Sequence, residues 1–305
     1  MTYRGRFAPS PTGALHFGSL IAAVASFADA RAHGGTWIVR IEDLDRPREV
    51  PGAADAILCT LRALGLYWDE EPLFQSRRTQ AYAQALQQLT VRGLTYPCAC
   101  SRAEIARDGR HGPAGPIYAG TCRPGLPPGR PPRSLRLRTP PTAVRVHDRI
   151  QGEQRQDVAQ DFGDCILRRA DGLHAYQLAV VVDDAWQGIS HVVRGADLLD
   201  STPCQCLLQQ SLGLATPSYA HVPLAVDATG HKLSKSQAAA PVDPAAPWPA
   251  LLRAWGWLGQ AAAPAESRTS LAGFWEYAAR AWRIERVPRV VRACVDPNPQ
   301  ASILL

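Results

Sequence analysis

The chain opens on a stretch that leaves little choice of local fold. Arg4-Gly-Arg-Phe-Ala-Pro-Ser-Pro-Thr-Gly-Ala-Leu-His16-Phe-Gly18-Ser19-Leu reads as a strand over Tyr3 to Ala8, a loop broken by Pro9, Pro11 and Gly13, and a helix starting near Leu15. From Leu15 to Ala32 the chain is rich in Ala and Leu, so this helix is expected to be buried on most of its surface. A strand, a tight loop and a helix N-terminus bring free backbone N–H groups and the positive end of the helix dipole to one spot, which suits an anion. His16 stands there as a donor to a phosphate. Gly18 removes a side chain one turn in, so a flat base can lie against the helix backbone. On these residues alone, a structural histidine is an equally good reading.

The next hundred residues point to an α/β chain. Gly34-Gly35 ends the helix, and Thr36 to Asp43 reads as a buried strand, which completes a strand–helix–strand unit and predicts a parallel sheet. Glu42 and Asp43 fall at the strand's C-terminal end, where ligands of open α/β sheets bind. A carboxylate there can hold an ammonium group or simply cap a turn. Helices are expected over about 52–64 and 77–92, each followed by Gly. From Cys98 to about Asp161 the chain turns dense in Pro, Gly and Arg, with short strands near Ser134 and Ala143, and reads as an insertion rather than a continuation of the sheet.

Within that insertion Cys98, Cys100 and Cys122 are spaced like the thiolates of a structural zinc knuckle. Tyr118 and His111 are the candidates for the fourth ligand, with His the commoner choice, and three unligated thiols are the alternative. Cys204 and Cys206 lie two apart on an expected helix over 202–212, face different directions, and read as core or surface thiols. Arg194 ends an apolar strand, a natural place for a carboxylate clamp, and Tyr176 can offer a hydroxyl nearby. The Trp-rich stretch from Pro247 to Leu258 and the basic stretch around Phe274 to Arg286 read as a packed helical cap or an RNA contact.

Charge adds a sharper clue. The chain of 305 residues carries +6 net, which permits a polyanionic partner without requiring one. Of its 33 basic residues, 31 are Arg and only Lys232 and Lys235 are Lys, both within Lys-Leu-Ser-Lys-Ser. Lys offers a compact, mobile point charge suited to a phosphate that changes shape, whereas Arg is a rigid fork. No apolar run reaches the ~18 residues of a membrane span, and no apolar segment follows the N-terminus as in a signal peptide. A cytoplasmic protein with reduced thiols is therefore expected.

Together these motifs resemble a known family. Pro9-Ser-Pro-Thr-Gly-Ala-Leu-His-Phe-Gly-Ser resembles the HIGH region of class I aminoacyl-tRNA synthetases, and Lys232-Leu-Ser-Lys-Ser resembles their KMSKS loop. Arg6-Phe-Ala-Pro-Ser, Arg40-Ile-Glu-Asp, Val181-Val-Asp-Asp and Val193-Arg-Gly-Ala-Asp resemble the glutamyl branch. Only 69 residues follow Ser236, too few for the branch's helical anticodon-binding region. The layout is similar to the shortened glutamyl-Q tRNA(Asp) synthetases.

The resemblance implies an α/β, class I Rossmann-like parallel sheet with a zinc-bearing insertion and a short helical C-terminal region. It places the halves of the catalytic domain at 1–97 and 162–236, the insertion at 98–161, and the helical region at 237–305. It implies ATP, with Mg²⁺, held by His16, Gly18, Ser19, Lys232, Ser234 and Lys235, of which His16 and Lys235 would stabilise charge on the phosphates. It implies L-glutamate among Arg6, Phe7, Ala8, Pro9, Ser10, Glu42, Tyr176 and Arg194, and one structural Zn²⁺ on Cys98, Cys100, Tyr118 and Cys122, which favours Tyr118 over His111. The expected acceptor is tRNA(Asp) containing queuosine, the expected state a monomer. Two positions depart from the pattern: Ser19 replaces the second His of HIGH, and Val180 is apolar where tRNA-charging relatives often carry a polar residue. A truncated charging enzyme acting on a tRNA 3′ end, a non-catalytic RNA-binding relic and a small-molecule nucleotidyltransferase remain open alternatives.

Overall fold

A computed structural model describes residues 2–107, 110–112, 115–227, 229–230 and 241–295. The expected lysine loop, with Lys232, Ser234 and Lys235, lies outside the described residues. In chain order the elements are β1 (Arg4–Phe7), α1 (Phe17–Ala32), β2 (Thr36–Ile41), α2 (Ala53–Ala63), β3 (Leu73–Phe74), α3 (Thr79–Val91), β4 (Thr95–Cys98), α4 (Arg102–Arg107), β5 (His111–Gly112), β6 (Gly115–Pro116), β7 (Ser134–Leu137), β8 (Ala143–Asp148), β9 (Gly152–Asp157), α5 (Val158–Asp161), β10 (Ile166–Arg168), α6 (Tyr176–Trp186), β11 (His191–Gly195), α7 (Thr202–Leu212), β12 (Ser218–Val222), β13 (Leu224–Val226), α8 (Pro247–Trp257), α9 (Leu271–Ala281) and β14 (Arg292–Cys294).

The strand pattern of β2 shows how the layers form. Trp37, Val39 and Ile41 point into one core with α1, α2, α8 and α9, while Ile38 points into a second core with α3, α6 and α7. A strand buried on both faces belongs in a parallel sheet covered by helices. The main sheet runs β3–β2–β1–β11–β12–β8–β9, parallel except for the β8–β9 hairpin. The chain leaves β1 for β2 on one side, and β11 flanks β1 on the other. That switch of direction opens a crevice at the strand C-termini.

Two parts of the chain depart from their local pattern. β8 and β9 do not stand apart with the insertion: β8 pairs with β12 at Asp148 and Tyr219 and extends the main sheet. Val144, Val146 and Asp148 alternate inward along β8, which gives the strand a buried face despite its Arg-rich surroundings. The stretch from Ala175 to Asp184 is mostly helix α6. Its three consecutive valines suit a strand, but burial against α3 and α7 decides for helix.

The C-terminal stretches form a packed helical cap. Trp255, Phe274, Trp275 and Trp282 are buried against α1 and α2. Trp275 donates to the carbonyl of Leu64 (2.8 Å) and Trp282 to Asp29 Oδ1 (3.0 Å). Cys204 and Cys206 are both buried on α7, as core thiols. Outside the main sheet, β10, β7 and β4 form a small antiparallel sheet that carries the cysteine cluster.

Candidate active site

At the mouth of the crevice the α1 N-terminus is capped by His16, whose ring accepts from the Ser19 backbone N–H at 3.3 Å. The ring Nε2 lies 3.0 Å from Ser19 Oγ, so the two candidate phosphate contacts share one spot. A Cβ on Gly18 would stand 3.2 Å from the His16 ring, so the missing side chain gives that ring its place. Pro241 pairs antiparallel with His16, and Val242 donates to the carbonyl of Leu15 at 2.8 Å. The first described residues after the lysine pentapeptide thus lie at the α1 N-terminus.

A cluster of buried polar side chains gathers near the ends of β1, β2 and β11. β1 carries Arg6, whose Nε reaches Asp184 Oδ1 of α6 at 3.2 Å. β2 carries Arg40, fully buried, which reaches the same carboxylate at 2.8 Å and Glu42 at 3.3 Å. β11 carries Arg194, with Nε on His221 Nε2 (3.0 Å) and Nη2 on Thr202 Oγ1 (2.9 Å) and Gln205 Oε1 (2.8 Å). Its Nη1 is buried without a hydrogen-bond partner among the described residues. Burial pushes the Tyr176 phenol up to about 12; Glu42 adds to the rise while Arg194 and Arg6 oppose it, so all four groups act on one neighbourhood. Burial also raises the Glu42 carboxyl, against the pull of Arg40 and Arg6.

The remaining predicted contacts divide. Phe7 turns its side chain into the core beside Trp37, on the face opposite Arg6, and offers a ligand only its backbone. Pro9 is buried, its carbonyl accepting from Glu42 N–H at 2.9 Å, which ties the loop to the end of β2. Ala8 is half-buried and Ser10 exposed at the rim.

The cysteine cluster assembles as well. The sulfurs of Cys98, Cys100 and Cys122 lie within 4.8 Å of one another. The Tyr118 hydroxyl sits 3.4 Å from Cys98 Sγ and 3.9 Å from Cys100 Sγ, and accepts from the Cys122 N–H at 2.7 Å. Burial pushes the Cys98 thiol up, but hydrogen bonds from Tyr118 and Arg136 outweigh it and leave the thiol at about 7. His111 is exposed on β5 and stands outside the cluster. Three soft thiols and one phenol around a small volume are a donor set that fits a tetrahedral zinc.

Several residues of the cluster are not singled out in the sequence as site residues. Asp184, in a stretch that carries the family resemblance, and Gln187 reach back to Arg6 and Arg40 from α6 and its end, while Thr202 and Gln205 of α7 and His221 of β12 hold Arg194. Asp183 joins Gln75, Arg78 and Tyr82 in a second buried cluster just below.

Comparison with known proteins settles the family. The model for class I tRNA synthetases (E and Q), catalytic domain, matches residues 2–246. A protein of Dechloromonas aromatica named glutamyl-Q tRNA(Asp) synthetase is 54% identical over 289 residues, spanning 94% of this chain and 96% of its own length. The chain belongs to the glutamyl-Q tRNA(Asp) synthetases. A Burkholderia mallei glutamyl-Q tRNA(Asp) synthetase is 56% identical over 286 residues, with 92% of this chain and 96% of that protein covered. The crystal structure of a glutamate-tRNA synthetase from Elizabethkingia anophelis superposes with a TM-score of 0.79 at 25% identity, over 98% of this chain and 69% of the other. As a member of the glutamyl-Q tRNA(Asp) synthetases the chain is a ligase of the class I aminoacyl-tRNA synthetase type. Among the described residues no helix is long and apolar enough to cross a membrane.

Proposed function

We propose that this enzyme activates L-glutamate with ATP and transfers it to the queuosine base in the anticodon loop of tRNA(Asp). The observation that carries the glutamate step is the charge pattern around Arg194. Arg6 and Arg40 face the carboxylates of Asp184 and Glu42, but among the described residues Arg194 faces only an imidazole, a hydroxyl and an amide, and its buried Nη1 has no partner. A buried guanidinium without a carboxylate partner is costly and calls for an anion. A substrate carboxylate supplies it, with Arg6 beside it, Glu42 on the ammonium group and Tyr176 orienting.

In the first step a glutamate α-carboxylate oxygen attacks the α-phosphorus of ATP, and pyrophosphate leaves. In the second, a hydroxyl of the queuosine cyclopentene ring attacks the acyl carbon, AMP leaves, and the hydroxyl proton passes to solvent. Neither step needs a protein nucleophile, so the protein contributes position and charge. His16, Gly18 and Ser19 would receive the triphosphate at the α1 N-terminus, with Lys232, Ser234 and Lys235 closing on it. Mg²⁺ bound with the ATP would share the phosphate charge. Cys98, Cys100, Tyr118 and Cys122 would hold one zinc, which would tie the end of β4 to the loop after β6. The names and coverage of the relatives support the queuosine acceptor.

The glutamate step is tested by glutamate-dependent exchange of pyrophosphate into ATP. Wild-type protein should exchange, and Arg194→Ala should lose about 100-fold or more in kcat/KM for glutamate. Exchange driven equally well by an uncharged amino acid would overturn the reading.

A further inference from the structure

Arg194 is held by a chain of groups that the two reaction steps leave without a chemical role. Its Nε–H donates to His221 Nε2 at 3.0 Å, so that nitrogen carries no proton. His221 Nδ1 then carries the proton and donates to Asp148 Oδ2 at 2.6 Å. Asp148 is fixed in turn: its Oδ1 accepts the backbone N–H of Ile150 (3.0 Å), Gln151 (2.8 Å) and His221 (3.1 Å). On the other side of the guanidinium, Thr202 gives its hydroxyl proton to the carbonyl of Leu198 (3.0 Å) and faces Arg194 as an acceptor. Gln205 gives its amide N–H to Gln177 (2.8 Å) and likewise faces Arg194 with its oxygen.

Among the described residues every group holding Arg194 is therefore uncharged, and the carboxylate of the relay stands one imidazole ring away. A carboxylate directly on Nε would fix the guanidinium as firmly, but would also neutralise it before substrate arrives. Burial pushes the His221 imidazole down to about 4 even with Asp148 opposing, in keeping with a neutral ring.

We propose that Asp148 and His221 are positioning residues for glutamate, orienting Arg194 through an uncharged ring so that its charge is kept for the substrate carboxylate. This role rests on the glutamate reading and deepens it. Glutamine at position 221 can reproduce both hydrogen bonds, accepting from Arg194 and donating to Asp148, whereas leucine can reproduce neither.

The experiment is pyrophosphate exchange by wild type, His221→Leu and His221→Gln, with KM measured separately for glutamate and ATP. His221→Leu should raise the glutamate KM about tenfold or more while the ATP KM stays within about twofold, and His221→Gln should recover most of the loss. An unchanged glutamate KM in folded His221→Leu overturns the proposal, as does a parallel rise in both KM values that His221→Gln does not relieve. Should His221→Leu fail to fold, ¹⁵N-histidine NMR of wild type decides, with the His221 signals identified by their loss in His221→Gln. The Nδ1–H tautomer, with an Nε2 shift that moves on adding glutamate, supports the proposal; an Nε2–H tautomer, an imidazolium or an unmoved shift overturns it. Wild type that exchanges with glutamate while His221 is indifferent sinks this inference alone. Wild type that does not exchange sinks the glutamate reading and this inference with it.

Discussion

Pro241 pairs antiparallel with His16, and the next residue, Val242, donates to the carbonyl of Leu15. The first described residues after the lysine pentapeptide thus lie at the α1 N-terminus, where an anion is best received. Lys235→Ala should slow glutamate-dependent pyrophosphate exchange by about 100-fold or more while leaving the thermal midpoint within a few degrees. Exchange at the wild-type rate would show that the ammonium group plays no part in phosphate stabilisation.

The insertion should carry about one zinc per chain, measured by elemental analysis after gel filtration. Cys122→Ser and Tyr118→Phe should each lower the zinc content and the thermal midpoint, while His111→Ala should change neither. Full zinc in Tyr118→Phe with loss in His111→Ala would reverse the assignment of the fourth ligand.

Asp29 of α1 is a junction for three distant parts of the chain. Its carboxylate accepts from Tyr3 (2.5 Å), Arg149 (2.5 and 3.0 Å) and Trp282 (3.0 Å) and is fully buried. Burial works against its ionisation, but the hydrogen bonds from Arg149, Tyr3 and Trp282 prevail and hold the carboxyl below its usual range. A folded value below the unfolded one means the stabilisation is complete above about pH 4 and is lost as pH falls through the folded value. Asp29→Asn leaves Arg149 unpaired and should cost about 3–5 kcal/mol in urea unfolding at pH 7. A cost under about 1 kcal/mol there would contradict the junction's role.

Local features were legible in the sequence. The strand–loop–helix at residues 4–32, the strand after it and the helices near Ala53 and Thr79 follow from apolar spacing and Gly or Pro punctuation. Cys98, Cys100 and Cys122 meet because two of them share one strand end and the third returns on a short loop. The supports of the cluster were not legible, because they are pairs of ordinary residues far apart in the chain. Asp148 and His221 stand 73 positions apart, and Arg6 and Asp184 stand 178 apart. Arg6 and Asp184 each fall in a stretch that carries the family resemblance, but no local pattern marks the members of either pair as partners, and only the closing of the sheet brings them together. β8 misleads for the same reason: its composition matches the insertion, while its partner β12 lies some seventy residues on.

A single measurement decides the acceptor: transfer of labelled glutamate, with ATP, to tRNA(Asp) carrying queuosine, to the same tRNA with unmodified guanosine, and to tRNA(Glu). Label is expected on the queuosine form alone, retained after the tRNA 3′ end is removed. Label on the 3′ end of tRNA(Glu), or none on the queuosine form, would contradict transfer to the anticodon loop.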